Sequence, residues 1–389
     1  MADKSWTLTD VDNDVFVDKL NISAKDVGGE ATDFEISKVT LRGGLRDGVD
    51  LIHVCNGPFC FDILPTRGMN LWGAWADDLK LGWNSPVRGP VHPSFVDMGE
   101  PSGLGWLDGF DELLAHCGLE SNGAPDFDEN GKLTYPLHGR IGNRPAHYVD
   151  VKVDDETGKI SVTGIVEETR FHFTKLRMTS TIETNPGQLG LTIRDEIENF
   201  SASPKEIQML YHWNFGDPLL DGGSSFVAPL KTVVPRNDHA ASGIESWDSY
   251  DAPQSGFEEQ VYFMELLSKE DGDTQALLKN AHSTQGMSLL FNSRNLPCFT
   301  VWKNTTAIAD GYVTGIEPGT NFPNPRSYEG EQNRVIKLKP GGKVSFKITL
   351  EAHTDATSVE AAEAAIAKIQ GDTETIVYDK PQKNWCEGV

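Results

Sequence analysis

Two histidines and one glutamate, His138, His212 and Glu317, stand in segments whose composition suits proton transfer to and from a bound ligand. Histidine titrates near neutrality, and burial can bring a glutamate there. Glu317 ends the apolar run Gly311-Tyr312-Val313-Thr314-Gly315-Ile316 at a Pro318-Gly319 turn, where a carboxylate can be half buried and its pKa adjusted. His212 lies in Tyr211-His212-Trp213-Asn214-Phe215-Gly216-Asp217-Pro218. In an extended strand Tyr211, Trp213 and Phe215 share one face, and His212 and Asn214 the other. Rings beside His212 and Asp217 suit a sugar, whose C–H faces stack on aromatics while its hydroxyls take polar partners. The plainer alternative makes the three aromatics core and His212 a cap on a neighbouring turn.

His138 belongs to Leu137-His138-Gly139-Arg140-Ile141-Gly142-Asn143-Arg144-Pro145, a dense polar cluster in a region otherwise patterned for strands. Gly139 would let a ligand approach the backbone closely, although a lone histidine is as readily a structural hydrogen-bonding residue. In Asp62-Ile63-Leu64-Pro65-Thr66-Arg67-Gly68-Met69-Asn70 a strand breaks at Pro65. Arg67 could fork onto ligand oxygens there, or pair with an acid and pin the turn. His92 and His116 form no standard metal-ligand spacing with His138, so no metal site is expected.

The elements that must position these residues are strands. Val344, Phe346, Ile348 and Leu350 fall on one face of Lys343–Leu350, Phe171 and Phe173 on one face of Glu168–Thr174, and Leu189, Leu191 and Ile193 begin a strand ending near Asn199. Turns at Asn185-Pro186-Gly187, Asp221-Gly222-Gly223, Asp271-Gly272-Asp273 and Pro340-Gly341-Gly342 separate such runs, a rhythm that predicts a large antiparallel all-β architecture. Two helices are expected: Gly109 to His116, and Ser358 to Gln370 with a capping box of Thr357 and Glu360 and a stop at Gly371. There is no glycine-rich phosphate loop and no strand–helix alternation, which argues against a nucleotide-binding α/β fold. One domain over residues 1–389 is the economical division, with a core over about 35–355 and a helix and surface tail over 356–389.

A formal charge of −24 repels nucleic acid and anionic membrane surfaces. The acidic, polar start at Met1–Asp14 does not have the pattern of a secretory leader, and no apolar run approaches the ~20 residues that cross a bilayer, so the cytoplasm is the default expectation. Cys55, Cys60, Cys117, Cys298 and Cys386 form no CxxC pair and are expected as reduced thiols.

Taken in order, Pro65-Thr66-Arg67-Gly68-Met69, Leu137-His138-Gly139-Arg140, His212-Trp213-Asn214-Phe215-Gly216 and Gly315-Ile316-Glu317-Pro318 resemble the aldose 1-epimerases, or galactose mutarotases, and more closely the related family DUF4432. The likeness runs from about Val54 to Ala352, and Phe215-Gly216-Asp217 is similar to a segment of the hexose-6-phosphate epimerase branch. One departure is that Arg140 follows His138, whereas the mutarotase arginine precedes its histidine.

The resemblance implies a galactose-mutarotase-like β-supersandwich that takes a small-molecule carbohydrate without a cofactor; monomer and homodimer are both open. It makes Glu317 the base at the anomeric hydroxyl, His212 the acid at the ring oxygen, His138 their helper, and Arg67 and Arg140 grips on hydroxyls. Asn214, Asp217, Trp302 and Lys303 complete the expected lining, Trp302 as a sugar platform and Lys303 as an anion grip. The same set could serve a lyase acting beside the carbonyl of an oxidised sugar, or a protein that only binds sugar.

Overall fold

Alternation of apolar and polar residues governs one half of the fold and continuous burial the other. The computed structural model describes residues 4–27 and 33–389. Strands Ile160–Thr169, Lys175–Thr184, Gly190–Asn199 and Lys343–His353 alternate between buried and partly exposed positions, and they pair antiparallel within a ten-stranded sheet. Its inner face carries Ile182, Ile193, Phe346, Ile348 and Leu350. A fourteen-stranded sheet stacks on that face. Tyr211, Trp213 and Phe215 project from its Lys205–Gly216 strand into the shared core, Tyr211 meeting the edge of Phe346 at 6.4 Å between ring centroids. Full burial of each such side chain contributes about 1.5–3 kcal/mol.

The Lys205–Gly216 strand is buried on both faces from Ile207 onward. Its second face, with Leu210, His212 and Asn214, lies beneath a separate apolar cluster of Trp83, Trp106, Phe110, Ala115, Cys117 and Val313. The larger sheet therefore has two covered faces, one roofed by the other sheet and one by loops.

A buried polar contact joins the layers. Asp195, on the ten-stranded sheet, accepts from Tyr211 Oη at 2.7 Å and lies 3.2 Å from His116 Nε2, both on the larger sheet. All three side chains are shielded from water.

Four local expectations change. Gly109–His116 is no helix: a 3₁₀ turn covers Gly105–Gly109, the chain then extends, and Leu114–Leu119 is a strand. Every residue from Phe110 to Leu119 is buried, so the strand loses its alternation and its apolar spacing imitates a helix. Phe171 and Phe173 are not strand residues; the strand stops at Thr169, and both lie exposed in the turn closed by Arg170 N donating to Thr174 O. The C-terminal helix is Ala356–Gln370, and its cap is Asp355, whose carboxylate accepts from Ser358 N at 2.8 Å. Finally, Cys55 and Cys60 form a disulfide. They face each other across adjacent strands joined by the three-residue turn Asn56-Gly57-Pro58, a spacing that a search for CxxC passes over, while the other three cysteines are free and buried.

The end of the chain packs more closely than a surface tail would: Trp385 stacks on Phe322 at 4.8 Å and Cys386 is fully buried. Among the described residues no helix is long and apolar enough to cross a membrane.

The inter-sheet contact makes a prediction. Asp195→Ala leaves the buried Tyr211 hydroxyl without its acceptor and should cost about 1–3 kcal/mol. Tyr211→Phe keeps the ring but leaves the buried Asp195 carboxyl without its donor, and should cost at least as much as Asp195→Ala. Urea unfolding of the two variants checks this order.

Candidate active site

Antiparallel pairing brings His212 and Glu317 together. The Lys205–Gly216 and Val313–Gly319 strands register Trp213 with Ile316 and Asn214 with Gly315, which sets His212 beside Glu317 on the loop-roofed face. His212 Nε2 lies 3.3 Å from Glu317 Oε1. Gly315 is what allows this. A Cβ there would stand 2.4 Å from Glu317 Oε1 and 3.2 Å from both His212 Cε1 and Trp302 Cε3, so the two side chains lean over a position that only hydrogen can fill.

The tautomer of His212 is set by Asn214. Asn214 Nδ2 donates to the carbonyls of Glu112 and His212, each at 3.0 Å, so its Oδ1 faces His212 Nδ1 at 2.7 Å as an acceptor. Nδ1 then carries the proton and Nε2 is left for Glu317.

His138 enters from a loop with its backbone in the left-handed region, φ 56°. His138 N donates to Gly123 O, and its Nδ1 lies 2.9 Å from Asn122 O, which holds the proton on that nitrogen. Its ring meets the His212 ring edge-on, 4.9 Å between centroids. Gly139 serves a different purpose from the one expected: a Cβ there would be 2.0 Å from Ser121 O and 2.3 Å from Gly118 O. The close approach is by the protein's own backbone, and it fixes the His138 loop.

His138, His212 and Glu317 line a cavity of about 570 Å³ walled by Trp106, Phe110 and Trp302. Trp106 packs 4.5 Å from His138, and Phe110 and Trp302 lie 5.4 and 5.6 Å from His212. Apolar walls and converging polar groups are the usual makeup of a small-molecule site.

Burial sets the electrostatics. Loss of water pushes the Glu317 carboxyl up to about 8; the nearby Glu259 charge adds to this and Arg236 opposes it. Burial likewise lowers His138 to about 4, against the bond to Asn122 O, and lowers His212 well below the ordinary histidine value, with His138 adding to the effect. At neutral pH Glu317 is therefore protonated and both imidazoles are neutral, and the close pair of Glu317 and His212 holds a single titratable proton.

The other expected lining residues divide. Trp302 lines the cavity, its Nε1 donating to Glu259 at 2.6 Å. Lys303 faces the opposite side of the same strand, as neighbours in a strand must, and its Nζ donates to Ser246 O at 2.7 Å. Asn214 is buried beneath His212 and orients it without lining the cavity. Asp217 is exposed beyond the strand end, outside the cavity. Arg67 is fully buried, paired with Glu112 and donating to Val91 O at 2.9 Å and Gly109 O at 3.0 Å; it pins the roof loops rather than gripping a ligand. Arg140 also lies outside the cavity lining, close enough for its charge to act on the buried Glu168.

The cation that does line the cavity is Arg236, 3.8 Å from Glu259. Sequence reasoning missed it together with Glu259, Trp106 and Phe110. Arg236 follows directly after a strand of the larger sheet, Leu230–Pro235, and carries no local signal. Trp106 and Phe110 stand in Gly105-Trp106-Leu107-Asp108-Gly109-Phe110, where paired glycines and aromatics are the one available hint.

Two stacked, almost wholly antiparallel sheets make the fold the β-supersandwich of galactose-mutarotase-like proteins. The chain belongs to the family described as Domain of unknown function (DUF4432), which it matches over residues 46–352. It is similar to a candidate aldose 1-epimerase from Klebsiella pneumoniae subsp. pneumoniae, at 36% identity and a TM-score of 0.94 over 98% of this chain and 99% of that one. A galactose mutarotase-like protein from Clostridium acetobutylicum shares the fold at 15% identity and a TM-score of 0.58, over 84% of this chain and 100% of that one. So does a galactose 1-epimerase from Lactobacillus acidophilus, at 13% and 0.54, over 83% and 98%. No functionally curated protein matches the chain.

The raised Glu317 value has a thermodynamic consequence. Between its ordinary value of 4.5 and about 8, the folded protein keeps a proton that the unfolded chain releases. Stability contributed by this group is thus present at low pH and is lost as pH rises through that window, by at most about 1.4 kcal/mol per unit. Glu317→Gln removes the titration. The Tm of the variant relative to wild type should therefore rise steadily between pH 5 and pH 8 and level off above it, as calorimetry across that range would show.

Proposed function

We propose that the protein is an aldose 1-epimerase-like isomerase that interconverts the anomers of a sugar or sugar derivative. The observation that carries this reading is the His212 Nε2–Glu317 Oε1 pair, 3.3 Å apart, tautomer-fixed and enclosed by aromatic walls.

One proton on this pair serves the reaction in both directions. With the proton on His212, Glu317 is a carboxylate that accepts the proton of the anomeric hydroxyl while His212 Nε2 donates to the ring oxygen. The bond between the anomeric carbon and the ring oxygen breaks and the aldehyde forms. The pair is then Glu317 carboxylic acid and neutral His212, the same arrangement that burial favours at neutral pH in the free protein. Rotation of the aldehyde and the reverse transfers close the ring with the other configuration. His138, neutral and with Nδ1 held by Asn122, offers Nε2 as an acceptor for a sugar hydroxyl. Trp302 and Trp106 present faces for the C–H surface of the ring, and Arg236 and Glu259 offer charge at the same cavity. Loss of one acid–base partner typically costs ~10²–10⁴-fold in rate.

Anomer exchange, followed by saturation-transfer NMR over neutral aldoses, sugar phosphates and uronic acids, tests the reading. Wild type should accelerate exchange on at least one class. Glu317→Gln should lose ~10²–10⁴-fold while ligand affinity stays within a few-fold. Binding with no acceleration on any class would refute an epimerase and leave a lyase or a binding protein.

Two further outcomes are specific to the geometry. The enzyme-dependent rate should fall as pH rises past about 8, where the pair loses its proton. Gly315→Ala, which displaces Glu317 without removing it, should lower kcat at least about tenfold, because an ångström of misplacement can cost as much as a missing group.

A further inference from the structure

A second cavity, of about 410 Å³, adjoins the first and shares with it the wall formed by Trp83, Ser85, Pro86 and Val87. None of the proposed chemistry uses it. Its lining adds the indoles of Trp72 and Trp75 and the cations Lys80 and Arg88. Three indoles about one small cavity form a platform for sugar rings.

The charge of this cavity opposes that of the chain. Acidic residues outnumber basic ones 58 to 34, yet neither Lys80 nor Arg88 has a carboxylate partner among the described residues; Lys80 Nζ donates instead to Asn84 Oδ1 at 2.9 Å. The one acid in the lining, Asp111, does not neutralise them. Burial and the adjacent Glu112 raise its carboxyl to about 8, against the opposing effects of Arg67 and of Trp72 Nε1, which donates to it at 2.9 Å. Its buried Oδ1 has no partner in the protein, so the neutral carboxyl keeps hydrogen-bonding capacity in reserve. Lys303, expected as an anion grip, lies outside the first cavity, as do Arg67 and Arg140, expected to grip hydroxyls. Lys80 and Arg88 offer an anion grip one cavity further on.

We propose that this second cavity is a subsite for a negatively charged sugar residue, so that the preferred ligand is an acidic oligosaccharide whose reducing end reaches Glu317. The assignment of the reducing end rests on the epimerase reading of the first cavity. The anionic group, carboxylate or phosphate, meets Lys80 and Arg88, and its ring lies against Trp72 and Trp75.

The test compares three reducing disaccharides: a neutral one, its counterpart with a uronic acid as the non-reducing ring, and one phosphorylated on that ring. Anomer exchange should show a lower KM for the charged sugars. Lys80→Met and Arg88→Met should each raise that KM about tenfold or more, the loss expected for one charge-assisted hydrogen bond. The kcat, and the KM of the neutral disaccharide, should stay unchanged. Whichever charged sugar responds more strongly identifies carboxylate or phosphate as the ligand group. Charged and neutral sugars shifting equally in the variants, or neither shifting, would overturn the subsite.

If no sugar shows exchange, the epimerase reading fails by itself. Indole fluorescence titrated with the same sugars then decides the subsite separately. Tighter binding of a charged sugar that is lost in the two variants keeps it, and binding indifferent to charge or to the variants removes it.

Discussion

The carboxamide of Asn214 cannot turn over, and the chemistry proposed for the cavity depends on that. Its nitrogen is committed to two backbone carbonyls, those of Glu112 and His212, so its oxygen is the group that faces His212 Nδ1. A flipped amide would set donor against donor and carbonyl against carbonyl in a place without water. The proton on Nδ1, the free Nε2 and the approach to Glu317 all follow from this single orientation. The Glu112 carbonyl is itself held, since it also accepts from Trp83 Nε1 at 3.0 Å while the Glu112 side chain is tied to Arg67 and Asn70. Asn70 Oδ1 in turn accepts from the backbone of His116, whose ring reaches Asp195 on the other sheet. A continuous series of buried polar contacts thus runs from the interface between the sheets to the candidate catalytic histidine. Arg67 contributes by balancing a buried carboxylate, and it is itself shielded from the cavity by burial.

Desolvation is the second constraint, and it acts in two directions. The aromatic roof that gives the cavity its shape also removes water from Glu317, His212 and His138. Ionised forms become unfavourable, so a glutamate and a histidine that would be fully separated in water, one charged and one mostly neutral, become close competitors for one proton. That competition costs stability at alkaline pH and is the property a reversible acid–base pair needs. The adjoining cavity repeats the theme with the opposite sign: Asp111 is kept neutral by burial, and Lys80 and Arg88, without a carboxylate partner among the described residues, give the space a positive character that the chain as a whole does not have.

Much of the site is legible in the order of residues. Strand period places His212 with Asn214 and apart from Tyr211, Trp213 and Phe215, and the fold keeps that division: aromatics in the core between the sheets, His212 and Asn214 under the roof. The same rule applied to Trp302 and Lys303 sends them to opposite faces, as they are. Where both faces are buried the period disappears, which is why Phe110–Leu119 carries a helix-like spacing and yet extends into a strand.

The sequence by itself determined the all-β class, the turn positions, and three residues suited to proton transfer at the ends of distant segments. Those are local properties, written in side-chain alternation and in the dihedral demands of glycine and proline. Tertiary structure decided which residues meet. Only the antiparallel register sets His212 beside Glu317 across more than a hundred residues, and only the folded roof brings Trp106, Phe110, Arg236 and Glu259 around them. The protonation states were decided there too, because burial is a property of the surroundings of a residue and has no counterpart in its neighbours along the chain.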